Sequence, residues 1–175
     1  AEQFVGMVAL NGVPRRPFDT LQGLPGLFRP AVPVALEAMQ RGAGLVGTLT
    51  GIVSQWRALI PLLQTIGMVG RTLDQDVFHD LATEFSGIDF ETYAETLRRL
   101  GQHDASDVLE QVRVPALVVA GSDDFFTPIS TATAMVQALP DARLAVIEGG
   151  THYAAVEYPE AVNAELRRFL RQLDW

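Results

Sequence analysis

Apolar and polar positions divide this chain into three stretches of different period. The first is Phe4-Val-Gly-Met-Val-Ala-Leu10, an unbroken apolar run closed by Asn11-Gly12. A short continuous run that ends on a turn signal predicts a strand buried on both faces, as in a parallel sheet. Residues 13–33 are rich in Pro, Gly and Arg and predict loop. Residues 34–101 then carry helical periodicity, with helices expected near 33–41, 45–66, 73–85 and 89–101. Asp74 and Asp89 stand where N-caps belong, and Gly67 and Gly87 punctuate the block.

From about residue 105 the pattern changes again. A helical turn at Asp107-Val-Leu-Glu-Gln-Val precedes an apolar strand over 114–120. A helix follows from about Ile129 to Leu139, with Pro128 at its start, then a second strand over 143–148. The last helix is expected from about Pro159 to Leu173. Its Val162, Leu166, Phe169, Leu170 and Leu173 form one apolar stripe, the pattern of a helix lying on a sheet. Pro159 suits a first helical turn. Strand, helix, strand, helix predicts parallel pairing through right-handed crossovers. The expected fold class is therefore α/β, a mostly parallel sheet flanked by helices with a helical insertion after the first strand.

Composition narrows the function classes. The 175 residues are 48% hydrophobic and 19% charged, which fits a packed globular protein. The formal net charge of −8 argues against nucleic acid and anionic membrane surfaces as partners. With no cysteine, disulfides, thiolate zinc sites and cysteine nucleophiles are excluded. The longest uncharged stretches, 42–56 and 58–70, fall short of the roughly 20 residues of a membrane span, so no transmembrane segment is expected. No signal peptide pattern opens the chain, and the cytoplasm is the favoured compartment. The first residues, Ala1-Glu2, lack Met, and a processed or excised product is expected.

The candidate chemistry sits after the two later strands. Val114-Pro-Ala-Leu-Val-Val-Ala-Gly121 runs into Ser-Asp-Asp124-Phe-Phe-Thr-Pro128, and Arg143-Leu-Ala-Val-Ile runs into Glu-Gly-Gly-Thr-His152. In open parallel sheets, active groups lie on loops beyond the carboxyl ends of strands. Adjacent strands are about 5 Å apart, so a carboxylate and an imidazole on neighbouring ends can meet. Asp124 would then fix and orient the ring, and the other ring nitrogen of His152 would act as general base. Either residue alone is more often an ordinary turn residue; the joint pattern is what carries the assignment.

These motifs resemble the C-terminal part of the α/β-hydrolase fold superfamily. Its G-x-x-D-x-x-x-P pattern matches Gly121, Asp124 and Pro128. Its G-x-H pattern, followed by E-x-P and a helix ending in F-L, matches Gly150, His152, Glu157, Pro159, Phe169 and Leu170. The resemblance implies Asp124 as triad acid and His152 as triad base, with Asp123, one position off the pattern, as the weaker acid candidate. It also implies an organisation of core strand at 1–12, loop and helical cap at 13–105, and C-terminal core at 106–175. It implies hydrolysis of an ester, lactone or similar acyl bond, without a cofactor. The same scaffold serves C–C bond hydrolases, epoxide hydrolases, dehalogenases, cofactor-free haloperoxidases and acyltransferases, so fold alone does not choose among them.

One part of the family pattern is missing. The nucleophile motif G-x-S-x-G does not occur, and Ser54, Ser86, Ser106, Ser122 and Ser130 are not flanked as an elbow requires. Ser122, beside the acid, is expected to be a turn residue. A strand over 4–10 with no neighbour on one side would also expose a long apolar edge. A companion N-terminal segment carrying the nucleophile and the oxyanion amides is therefore expected as a partner. The competing expectation is a non-catalytic module that uses the same scaffold to bind a ligand or a partner.

The remaining candidates are weaker. His79 and His103 are expected on the solvated surface, and no ligand pair recurs at metal-binding spacing. Asp74, Asp76 and Asp80 read as a solvated helix face. Phe125, Phe126 and Tyr153 flank the two candidates, while Trp56, Leu59, Ile60, Leu62, Leu63, Met68 and Val69 are apolar cap residues, expected chiefly to pack cap against core. Arg15 and Arg16, near the mouth of the expected site, could meet an acidic substrate, though solvated loop is the safer assignment.

Overall fold

A computed structural model describes residues 4–19, 37, 56–65, 67–86 and 88–173. Its centre is a parallel sheet of order β1-β2-β3, formed by Met7–Leu10, Ala116–Gly121 and Ala142–Ile147. Met7 pairs with Ala116 and Ala116 with Ala142, so the three strands run in register toward one end of the sheet. The first strand is shorter than its apolar run: Phe4 and Val5 are exposed and lie outside it.

β2 is buried at every position because both of its faces are covered. Side chains alternate across a strand. Ala116, Val118 and Ala120 pack with Leu109, Ala132, Met135 and Leu139. Leu117 and Val119 point the other way and pack with Ala145, Ile147, Ala154, Val162 and Phe169. The continuous run in 114–120 thus reflects two covered faces.

Among the described residues Glu37 is helical, and the helices with both ends described are α1 (Trp56–Thr65), α2 (Gln75–Ser86), α3 (Phe90–Leu100), α4 (Ser106–Leu109), α5 (Ile129–Ala138), α6 (Ala154–Glu157) and α7 (Pro159–Gln172). Apart from the short α6, which was not expected, they agree with the expected spans to within a few residues wherever those fall on described positions. The helix expected at 33–41 and the first part of that at 45–66 lie largely outside the described residues. Asp89 caps α3 by accepting from the Glu91 N–H, and Asp74, just before α2, accepts from the N–H groups of Asp76 and Val77 in its first turn. Pro159 opens α7, where its missing N–H costs nothing. Among the described residues no helix is long and apolar enough to cross a membrane.

Two features place the helical block 56–100 against the sheet. The chain leaving β1 and the chain returning to α4 are pinned together: Arg16 N donates to His103 O at 2.7 Å and Ala105 N to Pro14 O at 2.8 Å. A third apolar cluster, Ile60, Val69, Leu73 and Phe78, packs with Tyr153 and Val156, just after β3. The side chains of Trp56 and Leu59 lie outside the described residues; Ile60 is buried and Leu62 exposed.

Candidate active site

The two loops that follow β2 and β3 press against each other, and glycine permits it. A Cβ on Gly121 would lie 2.1 Å from Gly150 O, so no other residue fits at the end of β2. The loops are also bonded main chain to main chain: Ser122 N donates to Ile147 O at 3.0 Å and Asp123 N to Gly150 O at 2.9 Å. Ser122 braces the same junction, its hydroxyl accepting from Gly149 N and donating to Asp123. It is a turn residue, as expected. Asp123 is exposed and turned to Ser122, so Asp124 is the carboxylate that faces the histidine.

Asp124 Oδ2 lies 2.9 Å from His152 Nδ1. The acid is 3% exposed and fully engaged. Its Oδ1 accepts from Phe126 N and Thr127 N, both at 2.8 Å, and Oδ2 also accepts from the Thr127 hydroxyl at 2.6 Å. Burial pushes this carboxyl up, but the hydrogen bonds from His152 and Thr127 outweigh it and hold the acid below the usual carboxylate value. An ionised Asp124 only accepts, so Nδ1 carries the ring proton and Nε2 is left to take one. The His152 side chain is 37% exposed, whereas its acid is wholly enclosed.

Three residues to which the sequence assigned no role hold this pair. Asn11 ends β1 at φ 46°, a left-handed conformation that Asn tolerates better than most. From there its side-chain amide donates to Thr151 O at 2.9 Å and His152 O at 2.8 Å. Thr127 supplies two of the four hydrogen bonds to Asp124. Glu157 is 5% exposed and accepts from Thr151 N at 2.8 Å, from the Thr151 hydroxyl at 2.6 Å and from Gly70 N. Asn11-Gly12 was visible only as a strand-ending signal, and Glu157 only as a letter of a family motif. Neither pattern states which carbonyl or amide the side chain will find.

Phe126 and Tyr153 flank the imidazole edge-on, with centroids 5.2 and 6.2 Å from it. His152 lines two hollows. One, of about 580 Å³, has walls from β1's exit, the Pro17–Asp19 turn, α3 and both loops. The other, of about 100 Å³, includes Leu10, Asn11, Val119 and Val162. The other imidazoles stand apart. His103 is exposed, while His79 is half-buried rather than solvated, its Nδ1 enclosed without a hydrogen-bond partner. Asp74, Asp76 and Asp80 are exposed, as are Arg15 and Arg16. Among the described residues no cluster of three acidic or imidazole groups could hold a metal ion.

Residues 95–174 match the model of the TAP-like protein family. RutD of a Caulobacter species, whose name marks it as a candidate carbamate hydrolase, is 36% identical over 74 residues, 42% of this chain and 28% of its own length. A 2-hydroxy-6-oxononadienedioate/2-hydroxy-6-oxononatrienedioate hydrolase of Paraburkholderia phymatum is 38% identical over 64 residues, 37% of this chain and 22% of its own. Among solved structures, a bromoperoxidase from Bacillus anthracis superposes with a TM-score of 0.69 at 16% identity, covering 98% of this chain and 59% of the other. An esterase from Thermogutta terrifontis gives 0.62 at 18%, covering 97% and 56%. The chain thus spans less than two thirds of each of these relatives.

Proposed function

We propose that this chain, which has the fold of the α/β hydrolases and matches the TAP-like family over residues 95–174, supplies the acid and the base of a hydrolase acting on esters, lactones or related acyl bonds. The observation that carries this reading is the contact of a wholly enclosed, fully hydrogen-bonded Asp124 with the Nδ1 of a half-exposed His152. A turn carboxylate with only structural duties has no need of an imidazole whose second nitrogen is left for proton transfer. Structural neighbours that are an esterase and an N-acyl homoserine lactone degrading enzyme are in keeping with it.

In this reading Asp124 orients the ring and stabilises the imidazolium that forms. His152 Nε2 takes the proton of a nucleophile as it attacks the acyl carbon, then passes it to the leaving group. Nε2 next deprotonates the water that releases the acid product. The nucleophile and the oxyanion amides come from a segment outside these 175 residues, since no G-x-S-x-G occurs in them. The open side of β1 is the place for it. Among the described residues β1 pairs only with β2, and Val8 and Leu10 are 39% and 45% exposed. A strand added there would pair the free edge and cover both. The smaller hollow beside His152, open next to Leu10, would receive the nucleophile. Residues 13–105 would then be the cap and 106–175 the remaining core.

The test is active-site labelling of the whole assembly with a fluorophosphonate, followed by peptide mass spectrometry. A phosphonylated serine in a G-x-S-x-G segment, lost in His152→Ala, is expected. Silence of the complete assembly toward the probe and toward simple esters would overturn the reading in favour of a non-catalytic binding module.

A further inference from the structure

The larger hollow beside His152 is apolar in a specific way. Phe18, Tyr93, Leu97, Leu100, Phe126 and Tyr153 supply half of its lining residues. Of its polar lining groups, the Asn11 amide is engaged with two main-chain carbonyls and the Thr127 hydroxyl with Asp124, which leaves the neutral phenols of Tyr93 and Tyr153 beside the imidazole. Burial pushes the Tyr153 phenol up, ahead of smaller effects of Tyr93 and Glu157, so it stays neutral. Among the described residues no Asp, Glu or Arg lines the hollow, and His152 is the sole titratable base there. Arg15 and Arg16 stand between the wall residues Val13 and Pro17 in the chain, yet both are exposed and neither lines it. Their charges act on Asp104 instead, helping, after its hydrogen bonds to Ser106, to hold that carboxyl low.

We propose that this cavity receives the uncharged, apolar acyl group of the substrate and rejects acidic acyl groups of the same size; the proposal rests on the hydrolase reading above. An apolar chain loses water on entering and gains contact with aromatic and leucine side chains. A carboxylate would lose its hydration and meet no Arg side chain among the described lining residues to offset that loss, which is a large penalty. The cavity volume, about 580 Å³, is in the range of sites that enclose a small ligand. Specificity would arise less from what binds the neutral chain than from what the wall withholds from an anion.

The test uses the full assembly, with its nucleophile segment, and two near-isosteric esters, p-nitrophenyl hexanoate and p-nitrophenyl hydrogen glutarate. The hexanoate is expected to be favoured in kcat/KM on the order of 100-fold or more. Leu97→Arg should reduce or reverse that ratio by offering the anion a partner. Leu97→Trp, which fills the same wall, should shift preference from hexanoate to butyrate. Equal turnover of both esters, or indifference to both substitutions in folded protein, would overturn the proposal while leaving the hydrolase reading intact. Binding separates the opposite case. In His152→Ala, the neutral dye N-phenyl-1-naphthylamine should bind and be displaced by hexyl acetate but not by glutarate monoester. That displacement without any ester turnover in the unsubstituted assembly would uphold the cavity's preference and sink the hydrolase reading. Failure of the dye to bind, or displacement by the anion, would overturn the proposal.

Discussion

The side-chain amide of Asn11 donates to the main-chain carbonyl of His152 at 2.8 Å, across 141 positions of sequence. It ties the end of β1 to the loop that carries the histidine, and Asn11 N extends the sheet ladder to Val119 O at 2.8 Å. Asn11 therefore has two duties, a left-handed backbone and a bridging amide. Asn11→Gly should separate them, because glycine keeps the conformation and loses only the amide. Asn11→Ala loses both. We expect Asn11→Gly to cost about 1–3 kcal/mol from the stranded carbonyls, and Asn11→Ala about 1–2 kcal/mol more from backbone strain. Thermal unfolding of the two variants checks the order, and a lower kcat in Asn11→Gly checks that the histidine loop has shifted.

The acid has a pH signature of its own. Asp124 sits below the usual carboxylate value in the folded protein, so folding favours its ionised form. Its contribution is complete above the unfolded value of about 3.9 and is lost as pH falls through the lower folded value. Asp124→Asn should therefore flatten the acid end of the stability curve below about pH 4 relative to the parent. Thr127→Val, which removes the hydroxyl at 2.6 Å, should raise the acid's folded value, so that its contribution is smaller and its loss is complete at a higher pH. Asn at 124 also presents an N–H to Nδ1 and so favours the wrong ring tautomer. In the whole enzyme kcat should fall on the order of 10³–10⁴-fold. Chemical denaturation at a series of pH values, read beside turnover by the whole assembly under the proposed hydrolase reading, checks both. An unchanged acid limb in Asp124→Asn would show that another group controls it.

Much of this architecture was legible because it is written in period and in turn residues. The apolar run 114–120 predicted a strand covered on both faces, and β2 packs helices against each. Asp124 and His152 were legible because strand-end loops of adjacent parallel strands must converge, and Gly121 and Gly150 marked how closely. Asn11, Thr127 and Glu157 were not. Asn11 and Glu157 act through main-chain groups far away in sequence, which no spacing rule encodes, while Thr127 acts on Asp124 three positions before it through its own N–H and hydroxyl. His79 was misjudged for a related reason. Its exposed helix neighbours, Asp76 and Asp80, suggest a solvated face, whereas its ring turns inward.

Glu157 offers the sharpest test of how the helical block is joined to the histidine loop. Its carboxylate accepts from Thr151 on one side and from Gly70 on the other, residues 81 positions apart in the chain. Glu157→Gln replaces one acceptor oxygen by an N–H₂ group that faces donors. At least one buried N–H then loses its partner, at about 1–3 kcal/mol. Gly70→Ala attacks the same junction sterically, since a Cβ there would lie 2.9 Å from the Glu157 carboxyl carbon. If both act on one junction their effects must be non-additive. In Glu157→Ala the space opens, and Gly70→Ala should then cost much less than it does in the parent. A double-mutant cycle by denaturant unfolding measures this coupling, and additive losses would show that Gly70 and Glu157 act independently. Substrate kinetics adds a second readout: loosening this junction should change kcat, through Thr151 and the neighbouring His152, more than it changes KM.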